Sequence, residues 1–464
     1  MKTDREVKNI FFNLETKAEL LNYQIQGFPI YFILRFSLEM DYRHYYDNPP
    51  RNPKLIQRAK RIIKDFLQPL FLNLKPQAHL FISDNLHNVA TSKFLFVSTS
   101  PLVRQAGESL ELYDLVQHYY LKGETINFVQ PDYGRLIEKQ PYHQGFYSIN
   151  PEEKVSLSIR DKRIIIELIT VVSAGLKFNF KPLIQNYFEQ VSRNISLCLQ
   201  LQKIIEACKP TFVFARSIYT EPWVVLACKQ SGVQCVEVQH GVVAKDNIYY
   251  QTILTEELRE KYLPFPDYIL TMGDEWRKIT LKYFKAFNSS HVITLGVKEN
   301  LNYKSNSISE KFSILICLQH GLFQIDDFIF SFLRKYGKAI EKNKCIVIVR
   351  PHPGNIAGST KQYNTYPKVV VQSPEEIPLS DAFSDCNLLL SPSSMCLYEA
   401  IARGIPTASF DQFRGVTIPR GIRYLSDIDD LWQFITQVQN GEYQQIKIPY
   451  INEFNTQVLD KFIQ

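Results

Sequence analysis

What most constrains the fold is a rhythm that begins near residue 195 and holds to residue 411. Short, β-branched apolar runs alternate with longer segments of helical spacing. NISLCLQLQKIIEAC (194–208) reads as a helix, TFVFAR (211–216) as a strand, WVVLACKQSG (223–232) as a helix and VQCVEVQ (233–239) as a strand. Strand YILTMG (268–273), helix EWRKITLKYF (275–284) and strand HVITLGV (291–297) follow. A polar segment without period, KENLNYKSNSISEK (298–311), reads as a linker, and the pattern then restarts. FSILICLQ, DDFIFSFLRKYGKAI, CIVIVR, KVVVQ, NLLLSPS, MCLYEAIARG and PTASFD again alternate strand with helix, a short helix falling between KVVVQ and NLLLSPS. Strands joined by helices of this length form parallel sheets through right-handed crossovers. The expectation is therefore an α/β fold with two doubly wound, Rossmann-like sheets in succession.

The chain of 464 residues exceeds what one hydrophobic core serves, which also argues for two domains. Their expected extents are 1–300, with an elaboration over 1–190, and 311–464, with the last helix free to pack back on the first domain. In the first 190 residues, HLFIS (79–83) and FLFVSTS (94–100) read as strands ending in hydroxyl residues. LIQRAKRIIKDFLQPLFL (55–72) reads as an amphipathic helix with Arg58, Lys60, Arg61 and Lys64 about its apolar stripe. Such a helix can lie on an anionic bilayer, but a core-facing helix with a solvated basic side is the plainer reading.

A net charge of +6 falls short of a nucleic-acid binder's usual footprint, and nucleic acid is not an expected partner. The eight cysteines form no CxxC and sit in apolar contexts, as buried thiols do in a reducing compartment. The N-terminal stretch has no signal-peptide core, and no window reaches the roughly 20 apolar residues of a spanning helix. A cytoplasmic protein is expected, with the cytoplasmic face of the membrane as its one possible site of peripheral attachment.

Ligands of open α/β sheets bind beyond the carboxyl ends of the strands, so the residues at those ends carry the functional reading. IVIVRPHPGN (346–355) closes a strand with Arg350 and holds His352 between two prolines that stiffen the backbone, where either side chain can meet phosphate oxygens. Ser391, Ser393 and Ser394 fall between strand NLLL and a helix starting near Met395, a position that gathers free N–H groups and the positive end of the helix dipole. Glu399, one turn further on, can accept from ribose hydroxyls. The triplet QHG closes two strands, as Gln239-His240-Gly241 and as Gln319-His320-Gly321. ARSIYTEP (215–222) places Glu221 after another strand, where it can act as a general base or merely open a helix. Competing bases are His240, and Glu108 and Asp114 in RQAGESLELYD (104–114). The acids of SDIDDLW (426–432) read as helix-start charges rather than a metal site. There is no P-loop, strand-linked GxGxxG or zinc-ligand spacing.

With these motifs, roughly residues 205–415 resemble GT-B glycosyltransferases. They are most similar to bacterial capsule and surface-polysaccharide enzymes that use cytidine-activated donors, such as Kdo and sialic acid transferases, and to teichoic acid glycerophosphotransferases. The resemblance rests on His352-Pro353, Ser393-Ser394, the run EAIARGIPT (399–407) and the QHG of 239–241. It implies a GT-B-like pair of domains facing an interdomain cleft. In that cleft Arg350, His352, Ser393, Ser394 and Glu399 would hold a nucleotide-activated sugar, CMP-linked in the leading reading, and Gln319 and His320 would line the phosphate side. The first domain would bring a glycan acceptor, oligosaccharide or lipid-linked, and a base, Glu221 or His240. Two glutamates spaced as in many retaining relatives are missing, which leans towards an inverting, metal-independent transfer without a resident cofactor. Other readings are a CDP-glycerol-type glycerophosphotransferase, a sugar-nucleotide epimerase and a non-catalytic glycan- or nucleotide-binding protein.

Overall fold

The structure is a computed structural model. It describes residues 4–16, 19–47, 91–97, 111–131, 145–150, 152–216, 218, 221–243, 265–284, 286–298, 311–318, 324–352, 362–374, 376–392, 394–410 and 420–463. The strand expected at 79–83 and the basic helix expected at 55–72 lie outside them. The chain divides into two compact units, Met1–Pro101 with Val116–Glu237 and Asn247–Tyr268, and Leu102–Leu115 with Val238–Asp246 and Ile269–Gln464.

Strands β1 (Gln24–Ile25) and β2 (Phe28–Pro29) form a small antiparallel hairpin. A seven-stranded sheet follows, built from β3 (Phe94–Val97), β4 (Ile126–Pro131), β5 (Gly145–Ile149), β6 (Phe212–Arg216), β7 (Gln234–Val238), β8 (Tyr268–Thr271) and β9 (Val292–Thr294). Its order is β5-β4-β3-β6-β7-β8-β9. The six-stranded sheet contains β10 (Phe312–Cys317), β11 (Cys345–Arg350), β12 (Val369–Val371), β13 (Leu388–Leu390), β14 (Thr407–Phe410) and β15 (Arg423–Leu425), in the order β12-β11-β10-β13-β14-β15. Every neighbouring pair of the second sheet is parallel. Both orders have the same logic: the chain builds outwards from one strand, returns to its other side and builds outwards again. The expected GT-B-like pair of doubly wound sheets is thus present, and each sheet has a topological switch point, at β3/β6 and at β10/β13.

Several strands are shorter than the apolar runs that encode them, because terminal polar residues such as Gln239 leave the ladder, whereas β11 keeps the whole of CIVIVR. In the second sheet Ile314, Ile316, Val347, Val349, Leu388 and Leu390 point into a buried core shared with Ile329, Phe332 and Leu333 of helix Gln324–Lys342 and with Leu431, Phe434 and Ile435 of helix Ile428–Gln439. That last helix begins as its acids suggest. Asp427 is the N-cap, accepting from the backbone N–H groups of Asp429 and Asp430.

Helices Asp4–Thr16 and Ile30–Asp47, ahead of the seven-stranded sheet, pack with Ile159–Leu176 and Ile184–Cys208, which fall between β5 and β6. Their interior holds an ion pair rather than hydrocarbon alone. Arg35 Nε donates to Glu15 Oε1 over 2.7 Å and the Tyr31 hydroxyl donates to the same oxygen over 2.9 Å, all three residues being buried.

Within the second unit the segment after helix Ile428–Gln439 runs back over the elements at 272–297. Glu275 N–H donates to Pro449 O (3.0 Å), Asn452 N–H to Met272 O (2.9 Å), Val297 N–H to Asn452 O (2.9 Å) and Asn455 N–H to Leu295 O (2.8 Å). Two glycines permit the approach. A Cβ on Gly273 would stand 2.3 Å from Tyr450 O, and one on Gly296, whose φ is +80°, would stand 2.2 Å from Glu453 O.

Candidate functional site

The second sheet's switch point lies between β10 and β13, and Arg350, Ser391 and Ser394, among the residues singled out in the sequence, stand after or at the carboxyl ends of strands beside it. β10 ends at Cys317, paired in register with Arg350 at the end of β11. β13 pairs on the other side of β10, Ile316 opposite Leu390, and its next residue, Ser391, is fully buried and donates to Cys317 O over 2.9 Å. Ser394 then caps helix Met395–Arg403 by position, with extended backbone (φ −135°, ψ 159°), but its hydroxyl makes no capping bond. The hydroxyl instead stands by the Cys396 thiol, where Ser391 and the Leu397 N–H also contribute. These interactions, with the one from Cys317 the largest, hold that thiol below its ordinary range against burial, while the interaction with Cys396 and then burial push Cys317 up.

Arg350 is only 6% exposed. One guanidinium nitrogen donates to Gln372 Oε1 over 3.0 Å, and burial depresses its proton affinity while the Cys317 and Cys396 thiols counter that effect. The charge is therefore desolvated, oriented by Gln372 and felt at the start of helix Met395–Arg403. A guanidinium and a helix N-terminus that share one end of a switch point form an anion-binding arrangement. His352, two residues beyond β11, is exposed, with Pro351 buried behind it. Glu399 is partly buried in the second turn of the helix, and its carbonyl accepts from Arg403. Ser393, Gln319 and His320 lie outside the described residues.

The first QHG is resolved into two parts. Gln239 is 3% exposed and acts as a clasp. Its N–H donates to Leu270 O, its Oε1 accepts from Met272 N–H and its Nε2 donates to Gly241 O, at 2.9, 3.0 and 2.9 Å. The glutamine fixes the turn, and His240 is left exposed beyond it.

Glu221 follows β6, which borders the first sheet's switch point. It occupies the N-cap position of helix Pro222–Gln230, but its side chain makes no capping bond. The carboxylate accepts from the Trp223 indole instead. Burial raises its pKa, partly offset by that indole and by the Arg193 charge. Asp114 lies in helix Glu111–Leu121, and Glu108 is outside the described residues. Gln372, Trp223 and Arg193 were not picked out by their sequence context. Gln372 alone carried a usable signal, a polar residue closing the apolar run Val369–Val371.

No protein-family model matches the chain, and no curated protein matches it. Solved structures do. UDP-GlcNAc 2-epimerase from Neisseria meningitidis, bound to UDP-GlcNAc, is 14% identical with a TM-score of 0.50, over 80% of this chain and 99% of that one. The UDP-GlcNAc 2-epimerase of Methanocaldococcus jannaschii is 12% identical with a TM-score of 0.46, over 80% and 98%. The lipopolysaccharide outer core galactosyltransferase WaaB is 13% identical with a TM-score of 0.41, over 75% and 90%. At such identities the first of these likenesses shows a shared fold, two doubly wound sheets in one chain. Among the described residues no helix is long and apolar enough to cross a membrane.

Proposed function

We propose that the chain is a glycosyltransferase that takes a sugar from a nucleotide-activated donor and passes it to a surface-glycan acceptor. The observation that carries this reading is the desolvated Arg350 beside the unspent cap of helix Met395–Arg403, at the switch point of the second sheet. Such a site grips a leaving phosphate and stabilises the charge that grows on it as the glycosidic bond breaks. His352 and Ser394 supply further donors, and Glu399 receives the ribose hydroxyls. The donor in this reading is CMP-linked, as the resemblance of the His352-Pro353 and Ser393-Ser394 motifs implies. Glu221 is the base: it removes the proton of the acceptor hydroxyl as that oxygen attacks the anomeric carbon, and the nucleotide departs with the bonding pair. A carboxylate whose pKa burial has raised is matched to that task. His240, exposed beyond the Gln239 clasp, is the second choice.

Isomerisation of a sugar nucleotide is the competing reading, favoured by the fold shared with the epimerase that binds UDP-GlcNAc. A thermal-shift panel of CMP, CDP, UDP, GDP and ADP identifies the nucleotide, since the bound one raises the melting point by mass action. Incubating the matching sugar nucleotide without acceptor then separates the two activities. An isomerised donor would replace the transferase reading, and no stabilisation by any nucleotide would remove both.

A further inference from the structure

Helix Met395–Arg403 is braced by rings at its back. Tyr398, one turn beyond the Ser394 cap, is fully buried, and its ring centroid lies 4.6 Å from that of Trp276 and 4.8 Å from that of Tyr450. Trp276 and Tyr450, both also 0% exposed, close the triangle at 5.3 Å. The rings meet at 56°, 77° and 50°, tilted or edge-on, and such contacts fix orientation as well as distance. The Trp276 indole N–H is buried without an acceptor among the described residues, so ring packing rather than a hydrogen bond sets this side chain.

The three rings come from elements far apart in the sequence. Trp276 belongs to helix Asp274–Tyr283, and Tyr450 to the irregular segment after helix Ile428–Gln439. That segment touches helix Met395–Arg403 at both ends. Tyr450 packs behind its first turn, and Lys447 lies over Gly404, the left-handed residue that ends it, where a Cβ would stand 2.8 Å from Lys447 Cε. Gln445 Oε1 accepts from Thr407 N–H over 3.3 Å at the start of β14. Tyr450 is anchored in turn: its hydroxyl accepts from Arg420 N–H over 3.0 Å, and its carbonyl fills the space that Gly273 leaves by having no Cβ.

We propose that Tyr398, Trp276 and Tyr450 are positioning residues for the donor-phosphate seat, holding the first turn of helix Met395–Arg403 where its N–H groups and the Arg350 guanidinium meet one phosphate. Their role rests on the phosphate assignment above. Being fully buried, none of the three reaches the nucleotide itself. The helix start cannot shift without opening the triangle, and a misplacement of about 1 Å can cost about a hundred-fold in rate.

The test uses full-length protein and the nucleotide identified by the thermal-shift panel, with titration calorimetry and a thermal melt on each preparation. Tyr450→Leu removes one ring and should weaken binding about ten-fold or more. Tyr450→Phe keeps the ring, loses only the Arg420 bond and should restore affinity. Gly273→Ala alters no ring: at φ −164° its backbone accepts any residue, so the new Cβ acts by pushing on Tyr450 O, and binding should weaken again. Phe332→Leu is the control. Phe332 is equally buried, against Tyr336 and Trp432, so its loss should lower the melting point and leave affinity unchanged. The chain has three tryptophans, and with Trp223 and Trp432 replaced by Phe, the emission of Trp276 should change as nucleotide binds.

Wild-type affinity in both Tyr450→Leu and Gly273→Ala overturns the positioning role and leaves the phosphate assignment standing. So does a loss of affinity no greater than that of Phe332→Leu at an equal drop in melting point. Should Tyr450→Leu fail to fold, Gly273→Ala and the Trp276 emission decide: normal affinity in the one with a silent signal in the other is the same refutation. A wild-type protein that binds no nucleotide removes the phosphate assignment, and the positioning role with it.

Discussion

The Glu221 carboxylate accepts from the indole N–H of Trp223, two residues along the chain, instead of capping the helix that it opens. The indole stabilises the charged form and so works against the desolvation that raises this pKa. If Glu221 is the base, the acid limb of the pH–rate profile lies above the ordinary carboxylate range. Trp223→Phe removes the stabilising donor, so the pKa rises further and the limb moves to higher pH. Glu221→Gln lowers turnover by about two orders of magnitude or more with the fold retained, the scale of losing a general base. A Glu221→Gln enzyme of unchanged rate passes the role to His240, which His240→Asn then tests.

His352→Ala should lower transfer roughly a hundred-fold, the scale of one lost charge-stabilising donor, without moving the melting point, because the side chain is exposed. Steady-state rates and a thermal melt on one preparation check both halves.

Gln372→Leu tests orientation rather than charge. It leaves Arg350 buried without its 3.0 Å acceptor. Nucleotide affinity should fall about ten-fold or more, the scale of a hydrogen bond to a charged group. Gln372→Glu, whose carboxylate pairs with the guanidinium and repels the phosphate, should lose more; titration calorimetry distinguishes the two.

As pH rises through the depressed pKa of Cys396, a thiolate appears at the helix start that the nucleotide phosphate is to occupy. Anion affinity should therefore decline from slightly acid to slightly alkaline pH, beyond what the nucleotide's own titration explains. Cys396→Ser should flatten that decline. A profile identical in wild type and variant removes the competition.

In the N-terminal helices, Glu15→Ala takes an acceptor from both Arg35 and Tyr31 in a buried setting. Equilibrium unfolding should show a loss of at least about 2 kcal/mol, and Glu15→Gln a smaller one.

Periodicity alone located each described strand and α-helix from 211 to 410 to within a few residues, because buried parallel strands read as continuous apolar runs and their crossovers as amphipathic helices, but it started helix Ile184–Cys208 ten residues late and missed the short turn Tyr363–Thr365. The strand order was not legible, since pairing is a long-range fact: that β13 lies beside β10 rather than β12 is written in no local segment. At the site, Arg350 and Ser394 were found by position at strand and helix ends. Gln239 was read correctly as a strand-end residue, but its clasp on Met272 depends on a strand thirty residues away, and the helical packing of 1–47 depends on partners beyond 159. The acids at 427–430 were legible because capping is local.

The segment 449–455 covers the stretch that follows the outermost strand β9: Val297 N–H donates to Asn452 O, Asn455 N–H donates to Leu295 O, and Glu453 bridges to Val297. During synthesis, Leu295 and Val297 leave the ribosome long before this cover is made, and their backbone groups wait open until segment 449–455 has emerged. A chain stalled short of residue 449 would expose that border to pairing with other nascent copies, so losing the covering segment would cost solubility as well as stability.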